Sequence, residues 1–317
     1  MLKERDKTCL KDTKQYIIQN DALNRLSTAL DDAHIHSIPL KGSVLRSLYP
    51  SPELRTSCDI DVLVRERELE KAIAVIGSAT DFKTHKHNYH DIAMVSPTVH
   101  LEQHFSILEH MENIDKLLSQ VWKYAEQESG YRYKLIPEFQ IFHIIAHMSY
   151  HMVHGGVGIR PFLDLWLLRN KTEYNEGTLQ QMCSDCGILT FYEKCCDLVE
   201  AWMTGNSVPD DLIMFEGYIL NGGVFGDSQT ALVSKQRDHR GMSYYFHRVF
   251  MSRALLKTEY PELKEKPYLL LICQVKRWLR LLNPQMRKKV QKEISNVRAL
   301  SMDTIDSFDK LLVSLGL

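Results

Sequence analysis

Arg55-Thr56-Ser57-Cys58-Asp59-Ile60-Asp61-Val62-Leu63-Val64 is the stretch on which the reading of this chain turns. From Asp59 onward the residues alternate, so a strand places Asp59, Asp61 and Leu63 on one face and Ile60, Val62 and Val64 on the other. Two acids on one strand face are costly, because strands are depleted in Asp and like charges repel. A divalent cation removes that cost. Mg²⁺ or Mn²⁺ takes hard oxygen ligands, and Mg²⁺ in particular is held by a few carboxylates together with substrate phosphates.

Upstream, Ile35 to Leu40 predicts a short strand that ends at Lys41-Gly42-Ser43. Val44 to Tyr49 then predicts a brief helix, stopped by Pro50 and Pro52. A strand, a glycine turn and a helix suit a phosphate, since a Cβ at Gly42 would hold it away. Leu10, Ile17, Ile18, Leu23, Leu26 and Leu30 recur at helical spacing and predict one or two amphipathic helices over 8–33. Downstream, residues 66–76 predict a helix covering the sheet through Leu69, Ala72, Ile73 and Ile76. Three strands follow, over 82–88, 92–95 and 99–107. Glu102 lies on the last of them and supplies a third carboxylate, with the Asp59–Val64 strand as its expected neighbour.

Beyond residue 111 the strand pattern fades. Helices are predicted near 112–126, 137–154, 160–170, 176–203, 208–220, 242–257, 267–282 and 285–315, with a loop at Gly222, Gly223, Gly226 and Asp227 to Thr230. The expected organisation is α+β: a mixed-sheet domain over 1–110 and a helical substrate or accessory domain over 111–317. The 39 Lys and Arg against 40 Asp and Glu give a formal charge of −1, which offers no broad field for nucleic acid or an anionic membrane. The longest apolar run, Tyr268 to Cys273, is too short to span a bilayer, and Met1 to Asp6 lacks a signal-peptide core. With 7 cysteines, an odd number, no disulfide framework is expected, and the cytoplasm is the expected compartment.

Other residue groups compete for a role. His143, His147 and His151 stand at i, i+4 and i+8, with His154 and Asp164 beyond, but Ile144, Ile145, Ala146 and Met148 between them predict a packed helix lining the acceptor pocket rather than a zinc site with carboxylate orienters. Cys183, Cys186, Cys195 and Cys196 read as buried thiols on amphipathic helices. From Lys264 to Arg298, the basic residues Lys264, Lys266, Lys276, Arg277, Arg280, Arg287, Lys288, Lys289, Lys292 and Arg298 meet only Glu265 and Glu293. They read as a solvated helix face or an attractor of a phosphorylated acceptor, with Leu269, Leu270, Leu271, Leu279 and Leu282 packing the other face.

Leu40-Lys41-Gly42-Ser43, the Arg55–Val64 run and His100-Leu101-Glu102-Gln103-His104 together resemble the nucleotidyltransferases of the DNA polymerase beta superfamily. More closely, Lys41-Gly42 with Tyr49-Pro50, the R-x-S-x-D-I-D run, Leu-Glu-x-His and the helical tail resemble a bacterial uncharacterised nucleotidyltransferase family. The motifs cover residues 39–104, and a weaker similarity reaches Gly158 to Leu165. The gap from Ser43 to Asp59 is slightly longer than usual in the superfamily, and Gly-Ser replaces Gly-Gly. The resemblance implies a polymerase-beta-like mixed sheet with flanking helices, and transfer of a nucleoside monophosphate from an NTP to a small-molecule hydroxyl or phosphate with release of pyrophosphate. It implies Asp59, Asp61 and Glu102 as metal and catalytic residues, Glu102 also taking or orienting the acceptor proton. It further implies phosphate contacts from Lys41, the Gly42 and Ser43 amides, the Ser43 hydroxyl and Arg55. The alternatives are a toxin-like nucleotidyltransferase acting on tRNA or protein, and a non-catalytic nucleotide-binding regulatory protein.

Overall fold

A computed structural model describes residues 2–88, 90–154, 156–222, 266–280, 283–284, 287–288 and 302–317, together with residues 250, 256, 260 and 263. In chain order the elements are α1 (Leu2–Asp32), β1 (Ser37–Pro39), α2 (Gly42–Leu45), β2 (Asp59–Val64), α3 (Leu69–Ala79), β3 (Lys83–His87), β4 (Asp91–Val95) and β5 (His100–His104). They continue with α4 (Glu112–Leu118), β6 (Ala125–Ser129), β7 (Arg132–Leu135), α5 (Pro137–His154), α6 (Arg160–Lys171), α7 (Glu176–Asp185), α8 (Leu189–Thr204), α9 (Ile213–Asn221), α10 (Leu270–Arg280) and α11 (Met302–Ser314). The fold is α+β. No described helix is long and apolar enough to cross a membrane.

The chain forms two compact units, Met1–His147 with Phe162–Tyr192, and Met148–Pro161 with Glu193–Leu317. The first holds a seven-stranded sheet of order β3-β4-β5-β2-β1-β7-β6. β2 pairs parallel with β5, and β1 parallel with β7; the other pairs are antiparallel. Ile60, Val62 and Val64 pack into one core with Leu26 and Leu30 of α1, Ala72 and Ile76 of α3, and Leu101 of β5. Burial of these branched side chains, each about 1.5–3 kcal/mol, pins the register of β2 and turns its acids to the opposite face.

The sheet does not end near residue 110. A helix was expected over 112–126, yet α4 stops at Leu118, and β6 and β7 form a hairpin that joins the sheet through Ser37 opposite Arg132. β6 is almost wholly exposed, so it carries no apolar alternation, and edge pairing rather than burial forms it. Its turn is set by tertiary contact: Asp31 accepts a hydrogen bond from the Tyr131 amide at 2.6 Å, and at Gly130, with φ 51°, a Cβ would collide with the Asp31 carboxylate. The helix expected over 176–203 is divided into α7 and α8 at Gly187, where the Ile188 amide bonds back to the Cys183 carbonyl at 2.9 Å.

Within the second unit, Leu269 and Leu270 pack against Leu256, Tyr260, Leu263 and Cys273. Leu271 and Leu279, expected on the same buried face, are instead 75% and 57% exposed, because they lie on the far side of α10 from that cluster. Lys266, Lys276, Arg287 and Lys288 are exposed. Lys264, Leu282, Lys289, Lys292 and Arg298 lie outside the described residues, as do Gly223, Gly226, Asp227 to Thr230, most of the helix expected over 242–257 and residues 289–301 of the one expected over 285–315, whose later part is α11. Cys183, Cys186, Cys195 and Cys196 are buried as expected of packed thiols, and burial, with Asp185 beside it, pushes the Cys186 thiol up to about 11.

A buried ion pair ties α6 to the segment preceding β2. Arg55 donates from Nε and Nη2 to the two Asp164 oxygens, each at 2.7 Å, and the Tyr49 hydroxyl donates to Asp164 Oδ1 at 2.7 Å. Removing one partner strands a buried charge, so Asp164→Ala should lower stability by about 3–5 kcal/mol. The double variant Arg55→Met with Asp164→Leu should recover most of that loss. Urea unfolding of the three proteins checks this, and an undiminished midpoint for Asp164→Ala would remove the pair from the account.

Candidate active site

The parallel register of β2 and β5 sets Asp59 opposite His100, Asp61 opposite Glu102 and Leu63 opposite His104. Residues in register share a face, so Asp59, Asp61, Glu102 and His104 all project from the side of the sheet away from α1 and α3. His104 Nε2 lies 3.0 Å from Asp61 Oδ1 and 3.5 Å from Glu102 Oε2. One ligand atom from each of Asp61, Glu102 and His104 falls within 4.8 Å of the others, a spacing that suits a metal ion. Asp61 and His104 are buried, and Glu102 is partly exposed. Asp59 stands beside this group, its carboxylate accepting from Ser57 Oγ at 3.0 Å.

The charges explain each other. Burial raises the Asp59 pKa above the ordinary carboxylate range, and repulsion from Asp61 and Glu102 adds to it. Asp61 moves the opposite way: burial is outweighed by Lys41 and by the His104 hydrogen bond, which hold it well below that range. Burial likewise opposes a charged His104, but the hydrogen bonds to Asp61 and Glu102 win and raise it to about 9. A cluster of carboxylates that recruits a protonated imidazole and a lysine has a deficit of positive charge, which is the electrostatic condition a divalent cation meets.

Lys41 adopts φ 41° and ψ −114°, a backbone conformation that side-chain-bearing residues rarely take. It stands at the turn between β1 and α2, where its charge acts on Asp59, Asp61, His90, His104 and His143. The Ser43 amide is committed to the Leu40 carbonyl at 3.1 Å, while the buried Ser43 Oγ has no partner among the described residues. Gly42 is needed for a different reason from the one expected. A Cβ there would lie 2.7 Å from Arg55 Nη1 and 3.0 Å from Ser57 Oγ, so the missing side chain makes room for protein rather than for phosphate. Arg55, expected on the pyrophosphate, is instead buried beneath the turn with its fork spent on Asp164.

Further polar residues hold this arrangement and were not legible in the sequence. Arg46 Nε donates to the Gly42 carbonyl at 3.0 Å and its Nη2 to Gln19 Oε1 at 3.1 Å; Gln19 Nε2 in turn donates to the Ser57 carbonyl at 3.0 Å. α1 is thereby linked to the residue that holds Asp59. The strand period places His104 on the face of Glu102, two residues on, but gives no sign that its ring meets Asp61, 43 residues away in the chain. On α5, His143 is buried, and burial together with Lys41 and His147 lowers its pKa to about 3. His147 does have a carboxylate orienter, contrary to expectation: its Nδ1 lies 2.7 Å from Glu109 Oε1, and Glu109 is itself fixed by its amide bonding to Asp115 Oδ1 at 2.8 Å. The sequence separation of 38 residues hid that pair. Beside Lys41, a cavity of about 250 Å³ is lined by Tyr133, Gln140 and His143 among others.

The profile of the family described as "Uncharacterised nucleotidyltransferase" matches residues 2–204. No curated protein matches the chain.

At Gly42, an added methyl must displace the Arg55 guanidinium, so Gly42→Ala should lower stability by about 1–3 kcal/mol. A melting temperature equal to that of the unmodified protein would show that the turn has slack. His143 gives a pH test. Its folded pKa lies below its ordinary 6.5, so the unfolded chain takes the proton first. The stability contributed by the neutral ring is full above about pH 6.5 and falls as pH drops toward 3, by up to about 1.4 kcal/mol per pH unit. Unfolding curves should therefore show the wild type losing stability relative to His143→Gln on acidification through that window. Parallel curves would refute the shift.

Proposed function

The chain belongs to the uncharacterised nucleotidyltransferase family and is a transferase of that class; from this premise we propose that it moves a nucleoside monophosphate from an NTP to a small-molecule hydroxyl or phosphate, releasing pyrophosphate. The observation that carries the reading is the β2–β5 register, which sets Asp61 against Glu102 with Asp59 two residues away and the Lys41-Gly42-Ser43 turn beside them. In this reading Asp59, Asp61 and Glu102 hold Mg²⁺ or Mn²⁺, which when bound stabilises the charge of the entering and leaving oxygens. Lys41 lends a point charge to the triphosphate, and the unbonded Ser43 hydroxyl donates to a phosphate oxygen. Glu102, the more exposed of the paired acids, accepts or orients the acceptor proton as the new bond to the α-phosphorus forms and the bond to pyrophosphate breaks. Arg55 keeps the turn in place rather than touching substrate.

A small acceptor is favoured by the cavity of about 250 Å³ next to Lys41 and by a formal charge of only −1. A cytoplasmic setting, where NTP and divalent cations are at hand, suits the reaction and the buried cysteines. Incubation of the protein with each α-labelled NTP, Mg²⁺ or Mn²⁺ and the small-molecule fraction of a cell extract should give a labelled product and pyrophosphate. Asp59→Asn and Asp61→Asn should abolish it, and Glu102→Gln should slow it by about 10²–10⁴-fold. Asp59→Asn should melt no lower than the wild type, since it removes a like charge from the cluster. Retained turnover in both Asp variants would reject the mechanism.

A further inference from the structure

Oxygen ligands alone do not describe the cluster. We propose that His104 is a direct nitrogen ligand of the metal, so that Asp61, Glu102 and His104 select a manganese-type ion over Mg²⁺; this rests on the metal-dependent reading of the same site.

The two spacings from His104 are already those of a coordination shell. Neighbouring ligands on an octahedral ion with bonds of ~2.1 Å lie ~3.0 Å apart, and on a tetrahedral ion ~3.4 Å apart. His104 Nε2 stands 3.0 Å from Asp61 Oδ1 and 3.5 Å from Glu102 Oε2, and one ligand atom from each of the three lies within 4.8 Å of the others, so an ion placed at Nε2 is within reach of both carboxylates. Nor is the imidazole free to swing aside. It is buried, and the His90 ring stacks on it at 5.6 Å with 2° between the planes. Its Nδ1 has no partner among the described residues, so the polar contacts of the ring are made at Nε2, toward the carboxylates. His104 binds as neutral imidazole, the Nε2–metal bond forming as the Nε2 proton leaves to solvent.

The donor set then discriminates. Mg²⁺ demands oxygen ligands in near-ideal octahedral geometry and dehydrates reluctantly, whereas imidazole favours the transition ions. Mn²⁺ accepts both the carboxylates and the nitrogen and still leaves positions for phosphate oxygens.

Electron-spin-echo spectroscopy of the full-length protein loaded with Mn²⁺ alone should show hyperfine coupling to an imidazole nitrogen. The pattern should change when histidine carries the heavier nitrogen isotope. His104→Gln should abolish the coupling and weaken Mn²⁺ binding by roughly tenfold or more, given that even outer partners of ligands are worth ~10–100-fold. Mg²⁺ affinity should fall less, so the preference for Mn²⁺ shrinks. Should His104→Gln fail to fold, coupling that survives in both His90→Gln and His147→Gln assigns the ligand, and loss in either overturns it. Bound Mn²⁺ without nitrogen coupling, coupling that persists in a folded His104→Gln, or no stoichiometric Mn²⁺ binding would each sink the proposal. Nucleotide transfer is read separately with α-labelled NTP. Coupling without transfer leaves the ligand assignment standing and overturns the proposed transfer of a nucleoside monophosphate, and transfer without coupling does the reverse.

Discussion

The pairing of β2 with β5 is the constraint on which the rest of this end of the molecule depends. It places Asp61 and Glu102 side by side, and two such charges ~4 Å apart repel by about 4 kcal/mol at an effective dielectric constant near 20. The fold answers with positive charge brought from different parts of the chain. His104 comes from the same strand as Glu102, and Lys41 from the turn after β1. The unusual backbone of Lys41 belongs to that answer, since conformations of this kind cost ~1–3 kcal/mol and persist where the surroundings over-determine them.

Those surroundings are polar and mostly buried. Arg46, Gln19 and Ser57 form a relay from α1 to Asp59, while Arg55 and Tyr49 converge on Asp164 of α6. Such a network is a poor source of net stability, because each buried charge brings its own desolvation penalty. What it secures is position: Gly42 can sit against Arg55 only while Arg55 is held by Asp164. The residue types that look most suited to phosphate, an arginine and a glycine, therefore serve the shape of the turn. In the proposed reading, contact with an anion is left to Lys41 and Ser43.

Where the chain alternates strictly, its sequence was sufficient. Ile60, Val62 and Val64 can lie only against a core, so the acids between them face the other way, and the helical spacing of Leu26 and Leu30 supplies that core. β6 and β7 escaped because an exposed edge hairpin needs no apolar period, only a partner strand and a turn held by Asp31. The exposed Leu271 and Leu279 misled for the converse reason: an apolar residue at helical spacing shows which side of a helix it occupies, not whether anything covers that side.

By itself the sequence determined the α+β class, the strand that carries Asp59 and Asp61, the glycine turn and the strand that carries Glu102, because each rests on a period or a turn residue within a few neighbours. Only the tertiary structure decided that His104 joins the carboxylates, that Glu109 orients His147 and that Arg55 belongs to Asp164. Those contacts span 43, 38 and 109 residues of chain. The direction of a charged side chain across such distances is set by which buried partner neutralises it, and local sequence carries no record of that choice.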